Sequence, residues 1–247
     1  MPKKTGQVEV RCYEELNDFL PPQARKRPFP ARFTHGDTVK ALIEALGIPH
    51  TEVDLVLVNG ASVGFSHPLS DGDRLSVYPV FESLDISTLT RVRPGGLRRT
   101  RFVLDVHLGR LAKLLRMLGF DAQYANDLDD GNLSRISASQ ARILLTRDRE
   151  LLKRSAVTHG YYVRSTQALE QLREVIGRFD LAGRLRPFSR CLRCNTPLKR
   201  RTRRQAAGAV PPRVARTYRR FRACPTCGRV YWRGTHWERM SRLIRPQ

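Results

Sequence analysis

The sequence predicts an α/β chain in three parts: a small mixed domain over 1–90, a parallel-sheet domain over 100–188 reached by a linker at 91–99, and a cysteine-held ribbon over 189–247. Three observations carry this reading. Strand and helix signals alternate through the middle of the chain, four of the five cysteines fall into two Cys-x-x-Cys pairs near its end, and the charge changes sign along the way. Residues 1–90 hold 9 basic and 12 acidic side chains, residues 91–188 hold 19 and 10, and residues 189–247 hold 17 and 1. A net charge of +22 gathered at one end implies a polyanionic partner, because self-repulsion would otherwise stand unrelieved. RNA, DNA and an anionic membrane all qualify. No apolar run of about twenty residues is present, and the chain opens without a secretory signal pattern. The expectation is a cytoplasmic protein with a nucleic-acid partner and no membrane span.

In the first part, Val8, Val10 and Cys12 alternate, which predicts a strand over Val8–Tyr13 with Cys12 on its buried face. A free buried cysteine behaves as a small hydrophobe, so Cys12 reads as core. "GDTVKALIEALG" spaces Val39, Leu42, Ile43 and Leu46 as one face of a helix, with Asp37 or Thr38 as N-cap and Gly47 as stop. "DLVLVNGASVGF" reads as two strands turned at Asn59-Gly60, and "DGDRLSVYPVF" adds a last strand. Strand, helix, hairpin and strand suit a small β-grasp. "LVLVNGASV" and "LSDGDRLSVYPVF" resemble the ubiquitin-like sulfur-carrier domains of the ThiS/MoaD type. That resemblance implies a protein partner for this domain. Such carriers end in a free Gly-Gly, whereas Gly95-Gly96 is followed by 151 further residues. Pro94 and the two glycines read instead as a basic linker, and a carrier precursor cleaved after Gly96 is the outlying alternative.

The middle part offers strands at Phe102–Val106, Ala122–Ala125, Arg142–Thr146 and Tyr161–Arg164. Helices are predicted over Leu108–Leu118, Asn132–Ser139, Asp148–Thr158 and Gln167–Phe179. In the first helix Leu108, Leu111, Ala112, Leu115 and Leu118 form the core stripe, with Arg110, Lys113 and Arg116 mostly on the other side. The last helix is expected to bury Leu169, Leu172, Ile176 and Phe179. Strand–helix repetition predicts a parallel sheet covered on both faces.

Ligands of such a sheet gather at the carboxyl ends of its strands. Asp105 ends the first strand, Asp148 follows the third, and "DLDDGN" places Asp127, Asp129 and Asp130 after the second. Clustered carboxylates repel one another unless a cation intervenes, and Mg²⁺ or Mn²⁺ suits an oxygen donor set. Two local readings compete: Asp148 is also a good helix cap, and the acidic group at 127–130 is also an ordinary exposed turn. Asp105 has no such local explanation. "FVLDVHLGRLAKLLRMLGFDA" followed by "RILLTRDRELL" resembles the Mut-seven C-terminal (Mut7-C) ribonuclease family, a branch of the PIN-like nuclease fold, over about 100–245. The resemblance implies a metal-dependent nuclease in which Asp105 and Asp148 are the outer acids and Asp130 or Asp129 a middle one. "DDGNLSRIS" departs from the pattern at Gly131 and Asn132, where further acids would stand. Arg110 and Arg147, near the acids in sequence, are candidates for holding a substrate phosphate. His107 is a candidate polar contact.

The last part is poor in apolar residues and needs a staple to fold. Cys191 and Cys194 in "CLRC" and Cys224 and Cys227 in "CPTC", with 29 residues between the pairs, match four thiolates around structural zinc. Asn195 and Gly228 follow the pairs as knuckle residues. Lys199, Arg200, Arg201, Arg203, Arg204, Arg219, Arg220 and Arg222 are the candidate phosphate contacts. Tyr218, Phe221, Tyr231, Trp232 and Trp237 offer rings on which bases can stack, with Tyr231 and Trp232 expected to pack the ribbon instead. "VYWRGTHWERM" resembles the ending of the same family, and His236 is superfluous as a zinc ligand beside four cysteines. The reading is a Mg- or Mn-dependent ribonuclease that grips RNA, structured or ribosomal RNA included, through a basic zinc ribbon. The rival is a non-catalytic RNA- or ribosome-binding protein with a degenerate acidic site.

Overall fold

The computed structural model describes residues 4–79, 89–92 and 100–234. Most of the predicted linker, with Gly95-Gly96, and the ring and imidazole of Trp237 and His236 lie outside the described residues. The chain divides into two compact units, Met1–Arg99 with Asp130–Tyr162 and Thr100–Asp129 with Val163–Gln247.

In the N-terminal region, strands β1 (Thr5–Cys12) and β2 (Phe29–Thr34) are followed by helix α1 (Val39–Ala45). Strands β3 (Val53–Val58), β4 (Ala61–Ser62) and β5 (Arg74–Pro79) complete it. The sheet order is β2-β1-β5-β3-β4, with β1 parallel to β5 and the other pairs antiparallel. This is the β-grasp that the sequence predicts. Thr38 is the cap of α1, accepting the Ala41 N–H at 3.3 Å. The β3–β4 turn holds Asn59 at φ 50° and Gly60 at φ 86°, the doubly positive pair of a type I′ hairpin. Val8, Val10, Cys12, Ile43, Val56 and Val77 are buried in one apolar cluster.

Strand β2 is absent from the sequence reading. Its Pro30 argues against an interior strand, and the structure puts β2 at the sheet edge, where a missing N–H is tolerated.

Downstream come β6 (Arg101–Leu104), α2 (Gly109–Leu118), β7 (Asp121–Gln123) and α3 (Asp130–Gln140). They are followed by β8 (Ile143–Thr146), α4 (Arg149–Lys153), β9 (Gly160–Tyr162) and α5 (Ala168–Arg178). Pairs β6–β7 and β8–β9 are both parallel, so the α/β expectation stands. The predicted stripe of α2 is buried throughout.

Three details differ from the sequence reading. The expected helix over Asp148–Thr158 stops at Lys153, where Arg154 leaves the helical backbone at φ −58° and ψ 132°, and Val157 beyond it is fully buried. On α5 the buried set is Gln171, Leu172, Val175 and Arg178, while Leu169, Ile176 and Phe179 are only half-buried. Arg116, placed on the solvent side of α2 by periodicity, is 3% exposed.

Segment 130–162 packs within the same unit as the β-grasp. The Tyr162 N–H donates to Glu52 Oε1 at 2.6 Å, and His50 Nε2 donates to the Val157 carbonyl at 2.9 Å. The Arg149 guanidinium lies 4.9 Å from the centre of the Phe19 ring and 5.3 Å from that of Tyr162, a cation–π placement.

The last region carries β10 (Lys199–Arg201), α6 (Arg203–Ala206), α7 (Pro212–Thr217), β11 (Phe221–Ala223) and β12 (Val230–Tyr231). Its sheet is antiparallel in the order β10-β11-β12.

Candidate metal centre and nucleic-acid interface

Two knuckles build the cysteine site in the same way. After each Cys-x-x-Cys the chain turns through a left-handed residue, Asn195 at φ 62° and Gly228 at φ 70°. The turn lets the Asn195 N–H donate to the Cys191 carbonyl at 3.0 Å and the Gly228 N–H to the Cys224 carbonyl at 3.0 Å. Cys191 Sγ then lies 3.5 Å from Cys227 Sγ, and Cys194 Sγ lies 3.4 Å from Cys224 Sγ. All four sulfurs fall within 4.8 Å of one another, and the cysteines are unbridged. A tetrahedron of sulfurs each about 2.3 Å from zinc has edges of roughly 3.8 Å. The tetrad therefore fits a structural metal such as zinc.

The thiols themselves argue the same way. Burial pushes Cys191 up, but hydrogen bonds from the Tyr231 hydroxyl and from the N–H groups of Cys194 and Arg193 outweigh it and bring the thiol down to about 6. Cys227 feels the N–H of Arg229 pulling it down, yet burial and the sulfurs of Cys191, Cys224 and Cys194 push it up to about 11. Four sulfurs this close do not all ionise unless a cation joins them.

Arg116 ties the first knuckle to the α/β region of its own unit. Its Nε donates to the Ala122 carbonyl at 2.8 Å, and its Nη1 to the carbonyls of Leu192 at 3.0 Å and Arg193 at 2.7 Å. Asn195 clasps β7 from the other side, donating to Asp121 Oδ1 at 2.7 Å and accepting from the Ala122 N–H at 3.2 Å. Arg190 adds an ion pair to Asp121 at 3.1 Å. Sequence reasoning missed this joint. A charged residue at a helical position carries no local sign that carbonyls 76 and 77 residues away will take its donors.

The acids are placed as follows. Asp105 lies just past the end of β6 and is 7% exposed, with its carbonyl accepting from the Leu108 N–H at 2.9 Å. Asp148 is exposed and caps α4: its Oδ1 accepts from the N–H groups of Glu150 at 2.8 Å and Leu151 at 3.4 Å. Asp130 opens α3 and pairs with Arg154 at 3.3 Å. Asp127 and Asp129 are exposed, as is His107. Among the described residues, the cysteine tetrad is the group of three or more Cys, His, Asp or Glu side chains able to share one ion.

A family model described as the Mut7-C RNAse domain matches residues 100–244, more than half of the chain. The chain belongs to the Mut7-C RNAse family. A second model, Mut7-C ubiquitin, matches residues 5–85 and covers the β-grasp. Among curated proteins, none matches the chain. Two crystal structures of small archaeal modifier protein 1 from Haloferax volcanii are similar to it at 17% identity. They cover 30% and 32% of this chain and 97% and 100% of their own, with TM-scores of 0.24 and 0.26.

Within the Mut7-C RNAse domain the basic residues separate into two kinds. Arg203 donates to the carbonyls of Ala215 and Arg216 and so braces α6 against α7. Lys199, Arg200, Arg201, Arg204, Arg219 and Arg220 are exposed, Arg222 and Arg147 are half-buried, and Arg110 stands exposed on α2. Phe221 is buried under α6 and α7, and the Tyr231 hydroxyl lies 3.1 Å from Cys191 Sγ while accepting the Leu192 N–H at 3.2 Å. Phe221 belongs to the ribbon's interior, while Tyr231 and Trp232 pack against it as the sequence predicts, each remaining half-buried. No described helix is long and apolar enough to cross a membrane.

Proposed function

We propose that this Mut7-C chain is a divalent-metal-dependent ribonuclease that hydrolyses RNA phosphodiester bonds, with structural zinc in its cysteine tetrad. The observation that supports it is Asp105, a buried carboxylate just past the carboxyl end of β6, whose Phe102, Val103 and Leu104 are buried, in a domain of the Mut7-C RNAse family. Ligands of a parallel sheet gather beyond the carboxyl ends of its strands, so a carboxylate 7% exposed at that place is a functional candidate.

Asp105, Asp148 and one of Asp129 or Asp130 are the proposed ligands of Mg²⁺ or Mn²⁺. Their donor chemistry fits: carboxylate oxygens suit a hard cation, and Mg²⁺ is held by as few as one or two carboxylates plus water and phosphate. When bound, the cation supplies an activated water and neutralises charge at the leaving oxygen. The chain's own contribution is positioning. The 3-10 turn over Val106–Leu108 fixes the backbone at Asp105, and two backbone N–H groups orient Asp148. Arg110 and Arg147 are proposed to hold the scissile phosphate, and the exposed basic residues of the ribbon to grip the flanking strand.

Labelled RNA incubated with Mn²⁺ tests the reading. Cleavage by the wild-type chain and its loss in Asp105→Asn, with zinc content and RNA binding unchanged, is the expected result. Cleavage indifferent to both Asp105→Asn and omission of the divalent ion would overturn it.

A second reading is favoured by the local engagement of two of the acids, Asp148 in its cap and Asp130 with Arg154. In that reading the protein binds RNA without cutting it. Tight binding without cleavage in any divalent metal would establish it.

A further inference from the structure

The ribbon sheet sets Arg200 directly across from Arg222. Like charges facing each other on antiparallel strands are destabilising, and residues 189–234 contain no Asp or Glu to offset them. The ion pair this segment makes joins Arg190 to Asp121, and none of Arg200, Arg219 and Arg222 pairs with a carboxylate among the described residues. These three arginines line a cleft of about 870 Å³ together with the rings of Phe188, Tyr218 and Trp232. Phe188 is held at φ 57°, a conformation that a bulky residue rarely adopts and that marks a position fixed by its surroundings.

Uncompensated guanidinium groups beside half-buried rings make a platform for single-stranded nucleic acid: arginines follow the phosphates, and rings stack on bases. A duplex keeps its base faces inside its own stack and offers such rings nothing. We propose that this cleft is a binding site for unpaired RNA, with phosphates on Arg200 and Arg222 and bases against Tyr218 and Trp232. RNA rather than DNA rests on the ribonuclease reading; the preference for an unpaired strand rests on the cleft alone.

Fluorescence anisotropy tests this with the full chain, metal-loaded and carrying Asp105→Asn, in buffer without added divalent cation. The probes are a labelled single-stranded RNA oligonucleotide, the same oligonucleotide annealed to its complement, and the matching single-stranded DNA. The single-stranded RNA is expected to bind at least about tenfold more tightly than the duplex, as a stacked base is worth about that factor. Tyr218→Ala should remove about tenfold of the single-strand affinity and leave the duplex unchanged. Arg200→Gln combined with Arg222→Gln, the first exposed and the second half-buried, should lower the log–log salt slope by about 1.4, at roughly 0.7 per phosphate on a single strand. Zinc content confirms that each variant is folded.

Equal affinity for duplex and single strand, or equal loss on both probes in Tyr218→Ala, would overturn the proposal. DNA bound as tightly as RNA would overturn its RNA assignment. Because nothing is cut in this assay, an inactive nuclease would leave the inference standing. An active nuclease whose affinity ignores Tyr218→Ala and the arginine pair would sink it alone.

Discussion

The β-grasp and the ribbon use cysteine in opposite ways, and the contrast shows how each region holds together. Cys12 sits on the inner face of β1 among Val8, Val10 and Val77, where burial pushes its thiol up to about 12. It acts as a small apolar group in a core that needs no help. Cys191 is just as buried, yet a hydroxyl and two N–H groups converge on its sulfur and bring it down to about 6. Among the described residues, the cluster around it holds Leu198 and Cys224 with the partly buried Cys227 and Tyr231, and β10 is exposed along its whole length. One region is closed by apolar area removed from water. The other is closed by ligands aimed at a common point, and its apolar groups are too few to replace them.

The largest effect should come from removing that point. Cys224→Ser, or stripping the metal with a chelator, withdraws apparent folding energy on the order of 10 kcal/mol. Hydrogen exchange should then show the amides of β10, β11 and β12 losing protection while β1, β3 and β5 keep theirs. Loss of protection in both regions together would mean that the ribbon and the β-grasp do not differ in this way.

The converse substitution sharpens the comparison. Ile43→Ala in the fully buried helix face of the β-grasp should cost about 2–5 kcal/mol. Denaturant unfolding should register it, with zinc content per chain staying at the wild-type value.

The smallest effect is a pH dependence confined to the β-grasp unit. Burial, then the charge of Lys40, lower the pKa of His50 against the upward pull of Glu44 and the Val157 carbonyl. The folded state therefore binds this proton less readily than the unfolded chain, whose imidazole titrates at about 6.5. The sign follows: stability is present above that value and declines as pH falls through it toward the lower folded pKa. Denaturation midpoints from pH 8 to pH 5 should fall, and His50→Gln should flatten that slope.

Much of the molecule was legible before folding because the relevant signals are local. The stripe of α2 is a matter of spacing along one helix. The Asn59-Gly60 hairpin depends on two adjacent residues tolerating positive φ, and the knuckles on Asn195 and Gly228 doing the same one residue after a cysteine pair. The weak strand β2 escaped because Pro30 obscures it, and an edge position cannot be seen from the strand's own residues. Among the candidate site residues, the sequence singled out Asp105 as a strand-end acid and left Asp148 divided between cap and ligand. The structure shows the cap directly.

Sequence by itself therefore determined the strand–helix alternation of the middle segment, the cysteine pairs and the concentration of positive charge in the last segment, since each is written in spacing or composition. Only the tertiary structure decided where distant polar groups meet: buried Arg116 on the knuckle carbonyls, buried Glu52 on the N–H of Tyr162, and the half-buried Tyr231 hydroxyl beside a cysteine sulfur. Only it set Arg200 against Arg222 beside the rings of Phe188, Tyr218 and Trp232. The physical reason is range. A periodicity or a turn is settled within a few residues, whereas a buried donor is stable only when a partner arrives, and here partners arrive from as far as 110 residues away.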